Sequence, residues 1–262
     1  MLKLKEIFVV LFLLILYGCA QIVSPSGGEK DISKPKLLNT SKAKVDNKLR
    51  IEFNFDENIQ YNDWNENFYI SPPLNNTIEK KIKNKSLIIS FSDSLINNKT
   101  YNICINNAIK DITEGNIIDS INYLLTLNDQ IDTIKFGGKV LEAKSLSPLK
   151  HVWVVLHETN ILDSQLHKKT PEFVAKTNMD GYFVFPNLPN KKKYKVFAFN
   201  KSEYFYDKTN VAFYDKSIET GVDTFIELFS FNTSDTSYYK YDSINNILDD
   251  SILKPVNSNI IV

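Results

Sequence analysis

The feature that most restricts what this chain can fold into is an apolar pattern of period two. Leu49, Ile51, Phe53 and Phe55 alternate with Arg50, Glu52 and Asn54. Successive side chains of a strand point to opposite faces, so this segment predicts a half-buried strand with four apolar groups on one side. Further strands are predicted over 67–71, 86–91, 100–105 and 122–127, separated by clusters of Asn, Asp, Pro and Gly that favour turns. A polar bridge at 128–130 precedes a second set over 134–141, 152–157, 172–177, 182–185 and 193–199, which 210–214 and 223–229 could extend. Asp180-Gly181 is a hairpin signal, because glycine accepts positive φ without steric cost. No helical period is convincing; the best candidate, 161–167, gives one or two turns, too few for a helix to be stable alone. The expected fold class is all-β, with two consecutive Ig-like β-sandwiches at 35–129 and 132–231 and a polar tail at 232–262.

The amino terminus predicts where such a body resides. Lys3 and Lys5 precede an uncharged apolar run, 7–17, that ends at Gly18 and Cys19. The run is shorter than the ~20 residues a membrane-spanning helix needs. A basic start, an apolar middle and a small residue before the cut is the plan of a signal peptide, here 1–18. Leu16-Tyr17-Gly18-Cys19 resembles the lipobox of bacterial lipoproteins, which implies lipidation of Cys19 after cleavage. The alternative is an ordinary secretory signal with a chance cysteine. Residues 19–34 then read as lipidated Cys and a Ser-, Pro- and Gly-rich tether. Ala20 follows the cysteine and no Asp retention signal is seen, which points to the outer membrane and leaves the face open.

With Cys19 assigned to lipid, only Cys104 remains, so the body has no intrachain disulfide and must be held by apolar burial. Cys104 lies in an apolar run and reads as a small core residue. Charge bears on partners. Lys plus Arg and Asp plus Glu are 31 each, and losing Lys3, Lys5 and Glu6 with the leader leaves 29 against 30. Such a balance gives no pull toward phosphate, and Arg50 is the only arginine, so the guanidinium forks that grip nucleic acid are almost absent. The expected contacts are the membrane, through the lipid, and another envelope protein or a polysaccharide.

Two resemblances refine the organisation. Leu95-Ile96-Asn97-Asn98-Lys99-Thr100-Tyr101, Ala108-Ile109-Lys110-Asp111, Glu114-Gly115-Asn116 and the closing strand 123–126 resemble the SbsA-type bacterial Ig-like domain over roughly 33–128. Gly138-Lys139-Val140, then 152–156, then the stretch 176–189 around Asp180-Gly181, and Tyr194-Lys195-Val196-Phe197-Ala198 resemble a transthyretin-like or carboxypeptidase-regulatory-like sandwich over about 133–200. The order of lipobox, tether and two such units is similar to a family of Gram-negative cell-envelope lipoproteins. That resemblance implies architecture and address and supplies no activity. Many relatives carry an acidic loop after the closing strand that could hold calcium. Here the matching positions are Asn200, Ser202, Tyr204 and Asp207, so one charge remains where calcium wants ~6–8 oxygens with several carboxylates. No metal or other cofactor is expected. The loop at Asp111 and Asn116 is explained by turn-building.

Catalytic patterns are missing. There is no Gly-x-Ser-x-Gly elbow, no Cys-centred signature and no phosphate loop, and Asp249-Asp250 lie in the tail. A glycosidase can place its two acids on separate strands, so a missing motif is not proof. The candidate ligand-contact residues are His151, Trp153 and His157, which would share one face of a strand opposite Val152, Val154 and Leu156. At ~3.3 Å per residue the two histidines stand about 20 Å apart and cannot share an ion. They form an outward aromatic stripe, for which cover by a neighbouring strand or by 161–167 is favoured over ligand binding. The expected function is a non-catalytic envelope interaction, spacer or scaffold module. The alternative is a glycan-binding or hydrolytic accessory in which Trp64, Trp153 and nearby tyrosines stack on sugar rings.

Overall fold

The computed structural model describes residues 28–46, 48–74, 78–91, 95–96, 99–127, 131–162, 165–166, 168–199 and 210–233. Cys19, His167, the 200–207 stretch and the tail from 234 lie outside the described residues. The described residues from Lys34 onward make one compact unit. Its architecture is all-β, in two sandwiches.

The first sandwich contains β1 (Leu37–Val45), β2 (Lys48–Phe55), β3 (Ile59–Tyr61), the one-turn helix α1 (Trp64–Asn67), β4 (Phe68–Ser71), β5 (Ile78–Lys83), β6 (Ser86–Phe91), β7 (Thr100–Ile105), β8 (Ile109–Asp111) and β9 (Ile121–Thr126). A four-stranded sheet, β1-β2-β6-β5, faces a three-stranded sheet, β4-β7-β9, and β3 pairs β8 alongside. The period-two pattern has the expected effect: Ile51, Phe53 and Phe55 are buried in one core with Leu87 and Ile89 of β6 and Tyr101, Ile103 and Ile105 of β7. Each such side chain contributes ~1.5–3 kcal/mol on burial. Phe53 meets Tyr123 of the facing sheet edge-on at 5.4 Å.

β1 has no sequence signal, and the structure shows why. All nine of its residues are exposed. Thr40, Lys42 and Lys44 stand opposite Phe53, Ile51 and Leu49 and so point to the core side of the sheet. Lysines aimed inward on an edge strand discourage another chain from adding to it.

The second sandwich contains β10 (Ile134–Glu142), β11 (Trp153–Glu158), β12 (Phe173–Lys176), β13 (Tyr182–Leu188), β14 (Lys193–Phe199), β15 (Asn210–Phe213), β16 (Ile218–Glu219) and β17 (Phe225–Asn232). Its strands follow one path, β12-β11-β14-β15-β17-β10-β13, with β16 beside β14. The two layers are joined because β17 changes partner: its first part runs parallel to β10 and its end pairs β15. The core takes Val152, Val154 and Leu156, as their alternation predicts, together with Phe136, Phe183, Phe185 and Val196. β10 and β17 lie so close that a Cβ on Gly138 would stand 2.2 Å from the Ile226 carbonyl oxygen.

The Asp180-Gly181 turn differs from the expected hairpin. β12 and β13, on either side of it, are the two ends of the strand path and not hydrogen-bonded neighbours. The Asn178 side-chain oxygen accepts from the N–H groups of Asp180 and Tyr182, and Gly181 takes φ +78°. A side chain at 181 would also press within 2.7 Å of the Val140 carbonyl. The turn thus carries the chain from one layer to the other. In 161–166 the described residues include a short 3-10 turn at Gln165, whose N–H donates to the Leu162 carbonyl at 2.8 Å. Among the described residues no helix is long and apolar enough to cross a membrane.

Candidate functional site at the junction of the sandwiches

The face of β11 read as an outward stripe is not open. Trp153 and His157 are 3% and 2% exposed. Trp153 packs edge-on against Tyr69 of β4 at 5.3 Å, so the first sandwich covers it. With Val155, Val174, Phe199 and Val211 it forms a small apolar cluster outside the main core. His157 lies against Phe197 of the adjacent strand at 6.1 Å. Burial, helped by the nearby Lys169 charge, lowers its pKa to about 4. At neutral pH it is an uncharged imidazole. His151 does not share the strand: it precedes β11, exposed, at φ +58°, and its N–H donates to the Thr177 carbonyl at 3.0 Å. A left-handed residue at that point takes the side chain out of the alternation.

The buried face is one side of a junction in which edge strand β4 of the first sandwich meets edge strand β12 of the second. The Val174 N–H donates to Ser71 Oγ at 3.0 Å in a buried bond. Lys176, at the end of β12, donates from Nζ to the Glu66 carbonyl at 2.6 Å and pairs with its carboxylate at 3.4 Å. Its ammonium also lies 4.5 Å from the Trp153 ring centroid, and its side chain is only 6% exposed. Burial lowers the Lys176 pKa, and Glu66 acts in the opposite direction. Burial pushes the Tyr69 phenol well above its ordinary value, with Cys104 beside it adding to the rise. The Cys104 thiol is pushed up to about 11 by burial, against a hydrogen bond from Tyr69, which makes it an inert core group.

Beside this junction a cleft of about 560 Å³ opens between the two sandwiches. Thr100, Lys99 and Pro72 line it from the first, and Asp132, Glu158, Glu172, Lys192, Lys193 and Tyr194 from the second. The Asp132 N–H donates to Thr100 Oγ1 at 3.0 Å, and the Lys99 ammonium reaches the Glu172 carboxylate at 3.5 Å, so polar contacts also join the modules here. The Tyr194 ring sits in the core against Phe173, edge-on at 5.7 Å. Burial raises the pKa of its phenol, and Glu172, Asp132 and Glu158 add to the rise in that order, so the hydroxyl keeps its proton.

Two other sequence features find their places. Asp111 accepts backbone N–H bonds from Glu114 and Gly115 through Oδ1, and from Asn116 through Oδ2, at 2.7–2.8 Å. Burial works to raise its pKa, but these donors outweigh it and hold the carboxyl below its ordinary value. The loop is thus built by its own carboxylate. Among the described residues no group of three His, Cys, Asp or Glu could hold a metal ion. Trp64 is 8% exposed, stacked on Phe68 at 4.3 Å with the Lys80 ammonium 4.8 Å from its centroid. Neither tryptophan offers an open ring to a sugar.

Sequence reasoning missed Tyr69, Ser71, Glu66 and Lys176 because each belongs to a different module from its partner. A lysine ending the otherwise apolar Phe173-Val174-Ala175 was the one available signal.

Residues 28–126 match the family described as a bacterial Ig-like domain, a match that ends with the first sandwich. No curated protein matches the chain. Among solved structures, the chain is similar to the major pilin subunit of Bacillus cereus at 10% identity, over 76% of this chain and 66% of that one, with a TM-score of 0.25. It is similar to alpha-2-macroglobulin from Escherichia coli at 11% identity, over 70% and 78%, TM-score 0.30. It is also similar to the group B streptococcus pilus 2b backbone protein at 8% identity, over 74% and 98%, TM-score 0.25.

Proposed function

We propose that this chain is a non-catalytic, lipid-anchored spacer of the bacterial cell envelope, which carries two sandwiches, packed firmly on one another, on a tether from Cys19. The observation that carries the reading is the buried junction, in which Tyr69 packs on Trp153 and Lys176 is held by Glu66. Modules on a flexible linker make few such contacts, whereas a strut needs them to keep its geometry under load. The lipobox resemblance at Leu16-Tyr17-Gly18-Cys19 supports the anchor, and the Ig-like match supports a structural module. The transthyretin-like resemblance of the second sandwich belongs to the same reading. Its partner is another envelope protein or a polysaccharide, and its address is the outer membrane.

The test has two arms. Mass spectrometry of the mature chain from membranes is expected to find an acylated amino-terminal Cys19, and Cys19→Ala to release the protein from the membrane fraction. Small-angle scattering of the full chain in detergent is expected to give one narrow distribution of sizes that broadens in Trp153→Ala. An unmodified Cys19, or scattering equally broad before and after the substitution, overturns the reading.

A further inference from the structure

The cleft beside the junction holds charges that have no ion-pair partner among the described residues. Of its carboxylates, Glu172 is paired with Lys99 and Glu158 with Lys169. Of its lysines, Lys193 is paired with Glu219. That leaves the carboxylate of Asp132 and the ammonium of Lys192 without an ion-pair partner among the described residues. Tyr194 lines the cleft too: its ring is buried, while its hydroxyl is open to the cleft and makes no hydrogen bond to the described residues. A ligand group that displaces water from that hydroxyl can take its place as hydrogen-bond partner.

We propose that this cleft binds a small zwitterion bearing one ammonium and one carboxylate, of the amino-acid or short-peptide class. The ligand ammonium lies toward Asp132 and donates to the Tyr194 oxygen, and its carboxylate meets Lys192 on the exposed rim. The surroundings of Tyr194 agree with this polarity, since the charges that act on its phenol are all carboxylates. Pro72, Phe173 and Pro189 give apolar walls for a short hydrocarbon body. The volume of about 560 Å³ falls in the ~300–1,000 Å³ range of small-ligand clefts. A phosphate ligand is disfavoured, because a single unpaired cation faces the cleft. The site goes beyond the spacer reading and does not require the lipid.

The test is calorimetric titration of the full chain in detergent with the dipeptide alanyl-alanine, beside butylamine, butyrate and maltose. The expected result is saturable one-to-one binding of the dipeptide, at least about tenfold tighter than either singly charged compound. Asp132→Asn, Lys192→Gln and Tyr194→Phe should each weaken it about tenfold, the loss typical of one charge-assisted bond. Lys192 is on the surface, so Lys192→Gln reports binding even where Tyr194→Phe compromises folding. The proposal is overturned if the dipeptide does not saturate, if butylamine or butyrate binds equally well, if maltose is preferred, or if Lys192→Gln leaves the affinity unchanged.

Discussion

β1 and β12 are both edge strands, yet all nine residues of β1 are exposed, whereas Phe173, Val174 and Ala175 of β12 are buried. Unpaired N–H and C=O groups along an edge invite another chain. On β1 the invitation is withdrawn by chemistry, with Lys42 and Lys44 on the core side where an added strand would bring apolar groups. On β12 it is withdrawn by cover: Val174 donates to Ser71, and Tyr69 lies over Trp153. One device leaves a strand solvated, while the other joins two modules. Only the second has energetic consequences for the whole body.

Substitutions on the two edges should differ in size and in kind. The largest effect is expected for Trp153→Ala, which removes the buried indole under Tyr69 and should cost about 3–5 kcal/mol in a denaturant titration. A loss below about 1 kcal/mol would mean that the covered face is loosely packed. Acid should weaken the covered face next. The pKa of folded His157 is lowered to about 4 from the ordinary 6.5, so as pH falls through 6.5 the unfolded chain takes up the proton first. The contribution of this group is complete above 6.5 and declines toward pH 4, by up to about 1.4 kcal/mol per pH unit. Denaturation midpoints at pH 7 and pH 4.5 should therefore lie closer together in His157→Gln than in the natural chain.

Ser71→Ala leaves the buried Val174 N–H without its acceptor and is expected to cost about 1–3 kcal/mol, read by thermal unfolding. Lys176→Met keeps most of the stem and loses the ion pair and the ring contact. Because Glu66 is more than half exposed and can rehydrate, the expected cost is only about 1 kcal/mol. The smallest change in stability, within about 0.5 kcal/mol, is expected from Lys42→Ile with Lys44→Val on β1. There the readout is different: size-exclusion chromatography should show more self-association than in the natural chain. A pair of substitutions that leaves the elution volume unchanged would show that the lysines do not guard this edge.

Much of the covered strand was legible in sequence and little of the exposed one. Val152, Val154 and Leu156 announce a buried face by alternation alone, and 86–91, 100–105 and 193–199 have the predicted limits. β1 mixes Leu, Asn, Thr, Ser and Lys without a period, because neither of its faces meets a core. Its existence depends on backbone bonds to β2, which leave no mark on side-chain choice. At Trp153 and His157 cover was the favoured expectation, and what sequence could not name was the residue that supplies it. Alternation assigned them correctly to the face away from Val154, and that face is covered by Tyr69 and Phe197. His151 fell out of the stripe because its left-handed backbone breaks the alternation.

Sequence alone was enough to show that the chain builds strands, that these fall into two sets either side of 128–130, and which face of the best-patterned strands turns to a core. Burial of apolar groups at period two is a local rule, readable from neighbours two apart. Tertiary structure alone decided that β4 meets β12, that Asp180-Gly181 crosses between layers, and that Asp132, Lys192 and Tyr194 converge on one cleft. Those outcomes depend on contacts between residues as far apart as Ser71 and Val174, 103 positions along the chain. No short-range pattern encodes such a pair, because what selects it is the fit of two finished surfaces.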